Sequence, residues 1–167
     1  MENYIVINGK KAELTKEQLK QLGIKPEEKE NPFTRKIDKS YFYISVGNAL
    51  MTDIDNNTVV DIALYDNLNY FNDYNFTEQV ALHQLLYRKL LKYAYDNGAE
   101  DCEWNNNNNN NCHYYIYFNY QFNEFIVTSA TRCKNYFCTY FSSEKVARQA
   151  INDVIKPFIK EYPKFVW

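Results

Sequence analysis

The side chains able to do chemistry are few, and their spacing suits chemistry poorly. Cys102, Cys112, His113, Cys133 and Cys138 could in principle supply the four ligands of a zinc ion. Structural zinc sites pair ligands about two to four residues apart, a spacing that Cys102 and Cys112 exceed, while Cys133 and Cys138 fall within or beside strand-like runs. Buried or edge-strand thiols are the plainer reading, and no metal is expected. Asp53, Asp55, Asn57 and Asp61 resemble the start of a calcium loop, but Thr58 stands where the sharp turn needs Gly and Leu64 where the loop needs Glu. Neither His83 nor His113 has a Ser or Cys placed beside it by a recognisable nucleophile motif. Glu78 and Glu144 read as acids of helix first turns rather than as a catalytic pair. Only four glycines occur in the chain, which argues against a phosphate loop or a dinucleotide fingerprint. The reading is a protein without catalytic residues and without a cofactor.

What remains is the scaffold. With 46% hydrophobic and 17% aromatic residues, the 167-residue chain can bury a core of its own and does not resemble a disordered one. Met1-Glu2-Asn3-Tyr4 opens no basic region followed by an apolar stretch, and no window approaches the roughly 18 apolar residues of a membrane span. The expectation is therefore an intracellular chain, cytoplasmic in its host, with reduced cysteines.

Asn8-Gly9 between apolar-containing runs signals a hairpin, and Thr15 with Gln18 has capping-box spacing before Leu19, Leu22 and a stop at Gly23. Residues 1–39 thus read as an N-terminal hairpin, short helix and linker, the linker running from Lys25 to Lys39. Residues 40–167 read as an α+β body with two related halves, about 40–98 and 112–160, each three strands followed by an amphipathic helix. The strands expected in the first half are Tyr41 to Val46, Ala49 to Ile54 and Thr58 to Leu64, with a turn at Asp55-Asn56-Asn57. In the second half they are His113 to Phe118, Glu124 to Ser129 and Asn135 to Phe141.

Helices are expected near 76–96 and 143–155, capped by Asn75 and Ser142, with Pro157 ending or kinking the second. Ala81, Leu82, Leu85, Leu86, Leu90, Tyr93 and Ala94 form one apolar stripe on the first helix, and Val80, Tyr87, Leu91 and Tyr95 a second, so that helix should pack on two sides. "Tyr-Phe", a cap candidate, Glu and "Val-Ala" recur in the same order in both halves. The run Asn105 to Asn111 reads as a surface loop.

Charge is distributed unevenly. Residues 40 to 127 carry three basic against eleven acidic side chains, with no Lys or Arg at all from Ser40 to Tyr87. Residues 128 to 167 reverse the balance, seven basic against three acidic. An acidic, Tyr-rich centre suits a basic protein groove better than nucleic acid, since charge steers association and aromatic side chains anchor it. The partner-binding candidates are Asp53, Asp55, Asp61, Asp66 and Asp73 with Tyr65, Tyr70 and Tyr74.

Residues 6–24 (VINGKKAELTKEQLKQLGI), 31–36 (NPFTRK), 77–98 (TEQVALHQLLYRKLLKYAYDNG) and 140–154 (YFSSEKVARQAINDV) resemble a family of small accessory proteins of Firmicutes phages and prophages. The chain departs from that plan most in the Asn105 to Asn111 run. The resemblance implies an accessory protein of a mobile element and identifies no catalytic residue. By analogy it implies an anti-defence role: binding a host defence protein, such as a nuclease or its nucleic-acid groove, in the manner of anti-CRISPR inhibitors. A rival reading rests on the second half, whose strands and "YFSSEKVA" helix look like an AP2-type DNA-binding domain with Arg132, Lys134, Lys145 and Arg148 as its nucleic-acid contacts.

Overall fold

The computed structural model describes residues 4–7, 10–23, 30–99, 113–131, 134–135 and 138–167. The Asn8-Gly9 turn, the Asn105 to Asn111 run, Arg132, Cys102, Cys112 and Cys133 lie outside the described residues. The chain is an α+β protein. Its elements are β1 (Tyr4–Ile7), β2 (Lys10–Glu13), α1 (Lys16–Gln21), β3 (Ser40–Ile44), β4 (Leu50–Ile54), α2 (Val59–Asp66), α3 (Tyr74–Asp96), β5 (His113–Asn119), β6 (Glu124–Ala130), α4 (Glu144–Ala150) and α5 (Lys156–Glu161). A π-helical turn, Ile151–Ile155, joins the last two.

The strands pair antiparallel as consecutive hairpins, β1 with β2, β3 with β4 and β5 with β6. The result is three two-stranded ribbons. Each of the last two ribbons gains one further bridge, Phe42 with Phe71 and Tyr114 with Phe141. These bridges are the structural form of the repeated "Tyr-Phe". In both halves the Phe is buried and bridges the first strand, and the helix N-cap follows two residues later, Asp73 for α3 and Ser143 for α4. The preceding Tyr packs on the residue before the bridge: Tyr70 stacks on Tyr41 at 4.2 Å, and Tyr140 meets His113 edge-on at 6.2 Å.

Both caps fall one position or two from the expected ones. The Asp73 side chain accepts from the Phe76 amide at 2.8 Å, which starts α3 earlier than a cap at Asn75 would. Ser143 takes the Val146 amide at 3.2 Å in place of Ser142. Glu144 is a first-turn acid as read, but Glu78 lies beyond the first turn of α3.

Of the two expected third strands, the first is mostly helix and the second shows no strand among its described residues. Thr58 to Leu64 is β-branched enough to imitate one, yet most of it belongs to α2, because Thr58 and Asp61 close a capping box on each other's backbone. In the stretch from Asn135 to Phe141, Tyr136 and Phe137 lie outside the described residues and Phe141 makes only its single bridge.

The main core lies where the halves meet. Leu82, Leu86, Leu90 and Ala94 of α3 pack with Phe141, Ala147, Ala150, Ile155, Phe158 and Phe165, while Tyr114, Ile116, Phe125 and Val127 cover them from the ribbon. On the second stripe of α3, Val80 and Leu91 are half-buried, while Tyr87 and Tyr95 are exposed. Pro157 neither ends nor breaks the last helix. The π-helical turn just before it sends the Lys156 amide to the Ile151 carbonyl, and Pro157 then occupies the first turn of α5, where a missing N–H costs nothing.

The stretch read as a linker is anchored from residue 31 onward. The Asn72 amide donates to the Pro32 carbonyl at 2.8 Å, the Asp38 amide to the Asp55 carbonyl at 2.8 Å, and Phe33 packs on Phe71 and Phe76. These residues therefore belong with the body.

Candidate partner-binding face

The acids of the central region divide into a buried set and an exposed set. Asp55 is fully buried, and Arg35, from the supposed linker, reaches it through Nε to Oδ2 at 2.7 Å and Nη2 to Oδ1 at 2.9 Å. The Asn57 amide adds a third bond at 2.9 Å. The Arg35 guanidinium, foremost, and the Asn57 amide hold the Asp55 carboxyl down at about 2 despite its burial. Arg35 also lies over the Tyr65 ring, 5.7 Å from its centroid.

Asp61 is 3% exposed and saturated with donors. Its Oδ2 accepts from the Thr58 amide and hydroxyl, both at 2.8 Å, and from the Asn56 amide at 3.1 Å. The Tyr41 hydroxyl donates to Oδ1 at 2.8 Å. The Thr58 bonds lower the Asp61 pKa, and burial together with Asp61 pushes the Tyr41 phenol up. Tyr70 is buried too, sandwiched by stacking on Tyr41 and an edge contact with Tyr65, with its hydroxyl bonded to the backbone of Lys36.

Asp55, Asp61 and Tyr70 were expected on a docking surface, and that expectation is corrected: they are interior groups that fix the start of α2 and the 31–39 segment. Charge and aromatic content marked them, but the same chemistry serves a buried hydrogen-bond network equally well. Asp53, Asp66, Asp73, Tyr65 and Tyr74 are exposed, although the Asp73 carboxylate is committed to capping α3 and Tyr74 leans edge-on against Phe42.

With its acid turned inward, α2 is inverted. Val59 is 83% and Val60 65% exposed, Ile62 and Tyr65 are exposed with them, and Asp61 is the helix's buried residue. Leu68, just past the helix, is 68% exposed with φ 55. It occupies the left-handed position of a Schellman ending, in which the Leu68 amide donates to Tyr65 and the Asn69 amide to Leu64, a place that normally takes Gly. An exposed Leu held in a conformation costly for it is a local sacrifice of stability at a surface. Ile54 and Met51 of β4 are exposed as well.

Val59, Val60 and Ile62 thus make the exposed side of α2 apolar, in the stretch without Lys or Arg, and Asp53 and Asp66 are exposed acids of the same stretch. The sequence places Val59, Val60 and Ile62 in a strand from Thr58 to Leu64, which hides their exposure on a helix. The Thr58-Asp61 cap spacing was the available signal.

The basic segment is less exposed to a ligand than its charge count implies. Arg148 is bound to Glu144 one turn earlier through Nε at 2.8 Å and Nη2 at 2.6 Å, while Lys134 and Lys145 are exposed. The strands β5 and β6 contain no Lys or Arg to meet a phosphate backbone. Among the described residues, no group of three or more His, Cys, Asp or Glu is placed to hold a metal ion, and no helix is long and apolar enough to cross a membrane.

Comparison with known proteins gives no match: no family model fits the chain, and no curated protein or solved structure is detectably similar to it.

Proposed function

We propose that this chain is a binding protein that docks on another protein through the apolar face of α2, performs no chemistry, and acts as an anti-defence accessory protein of a mobile element. The observation that carries the reading is the inverted helix: Val59, Val60 and Ile62 turned to solvent while Asp61 is buried beneath them. A patch of that kind costs solubility and gains nothing in the core, so its use lies in contact with something else. The exposed acids Asp53 and Asp66 select a partner with a basic rim around an apolar centre. A host defence nuclease, whose nucleic-acid groove is basic, has that chemistry, and the likeness to phage accessory proteins points the same way.

The test is capture of the partner on the tagged chain from nuclease-treated bacterial lysate, beside a gel shift on mixed DNA and RNA. A protein retained after nuclease treatment, and lost when Val59 and Ile62 are changed to Ser, supports the reading. Tight nucleic-acid binding abolished by Lys134→Ala and Lys145→Ala with no protein partner overturns it in favour of the AP2-type reading.

A further inference from the structure

An open groove of about 720 Å3 lies between α3, β5 and residues 138–141, a size usual for small-molecule sites. Leu86, Leu90, Ile116, Phe141 and Trp167 give it an apolar lining. No Asp or Glu side chain lines it, and its standing positive charge is Arg88. Among the described residues Arg88 has no ion pair, its guanidinium bonding instead to the neutral Asn48 side chain. His83, also at the lining, has its pKa pushed down by burial and does not add a charge at neutral pH.

Thr139 supplies a second polar group. It is 7% exposed, and its hydroxyl has no hydrogen-bond partner among the described residues although nearly every buried polar group in a folded protein has one. Thr139 lines the groove but its hydroxyl oxygen is buried, so reaching a bound molecule requires a rotation about χ1.

We propose that this groove binds a single-chain amphiphile with an anionic head, of the fatty-acid kind. Leu86, Leu90, Ile116, Phe141 and Trp167 take the chain, and Arg88 and Thr139 are the polar groups offered to the head. An apolar channel with a cation and no Asp or Glu side chain favours a neutral or anionic ligand over a cationic one. This site is separate from the α2 face, and neither proposal depends on the other.

Trp167 makes the test direct. The Trp104→Phe protein, in which Trp167 is the remaining tryptophan, is titrated with dodecanoate below its micelle concentration while Trp167 emission is followed. Dodecanol and dodecyltrimethylammonium are run in parallel. The proposal requires a saturable emission change with dodecanoate and binding of the cationic amphiphile at least about tenfold weaker. It also requires a loss of roughly threefold or more in dodecanoate affinity in Arg88→Gln and in Thr139→Val. Circular dichroism and melting establish that both variants are folded, and Thr139→Val should melt no lower than its parent. Absence of a saturable change, equal response to all three amphiphiles, or unaltered affinity in both folded variants overturns it. So does a dimer in sedimentation that dodecanoate leaves intact and that buries Trp167, since the occupant would then be a second copy of the chain.

Discussion

Arg35 grips Asp55 with two hydrogen bonds of 2.7 Å and 2.9 Å, joining a segment twenty residues upstream to the loop that starts α2. A bidentate pair with its carboxylate wholly out of water is costly to break from one side, because the remaining charge stays buried without a partner. Arg35→Ala should therefore lower the urea midpoint more than the exposed Lys92→Ala, whose ion pair with Asp96 lies at the surface. Equal small shifts would mean that the 31–39 segment is not held as described.

The same pair sets an acid limit. Folding lowers the Asp55 pKa from 3.8 to about 2, so its contribution is fully present above the usual carboxylate range and is lost as pH falls toward the lower value. Asp61, shifted the same way, adds to the slope. Stability measured by urea unfolding should decline steeply between about pH 4 and pH 2, and less steeply in Asp55→Asn. Identical profiles for the two proteins would remove Asp55 from the explanation.

Leu68 separates stability from binding. Glycine is at ease in the left-handed conformation that Leu68 holds at φ 55, so Leu68→Gly should raise stability by about 1 kcal/mol. Losing an exposed apolar anchor should at the same time weaken partner binding. Thermal melting and binding measured on one preparation check both; a less stable Leu68→Gly protein would contradict the Schellman geometry.

On α3, burial differs sharply between neighbours. Leu86 is buried in the main core and Tyr87 is exposed. Leu86→Ala should cost about 2 to 5 kcal/mol, and Tyr95→Ser on the exposed stripe less than about 1 kcal/mol, by urea unfolding. Comparable losses would restore the two-sided packing that the apolar spacing suggested.

These comparisons also mark what the sequence could tell. The N-terminal cap at Thr15, the β3–β4 and β5–β6 hairpins, the main stripe of α3 and the paired "Tyr-Phe" segments are local patterns, and local patterns survive folding. Thr58 to Leu64 shows the limit: Val59, Val60 and Ile62 have strand propensity, and one hydrogen-bonded cap overrode it. Asp55 and Asp61 show another, since nothing in a run of acids says which will meet Arg35 or Tyr41 from twenty residues away. The patch on α2 was legible only once the helix and the buried acid were both known.

Docking of the apolar face of α2 on a basic partner, as proposed, has a kinetic signature. Surface plasmon resonance with the captured, purified partner tests it most directly, comparing wild type with Val59→Ser/Ile62→Ser and with Asp53→Lys/Asp66→Lys across a range of salt. The apolar pair should speed dissociation and weaken affinity at least about tenfold, while the charge pair should slow association and flatten its salt dependence, with both variants melting like wild type. Unchanged dissociation in a folded Val59→Ser/Ile62→Ser protein would contradict it.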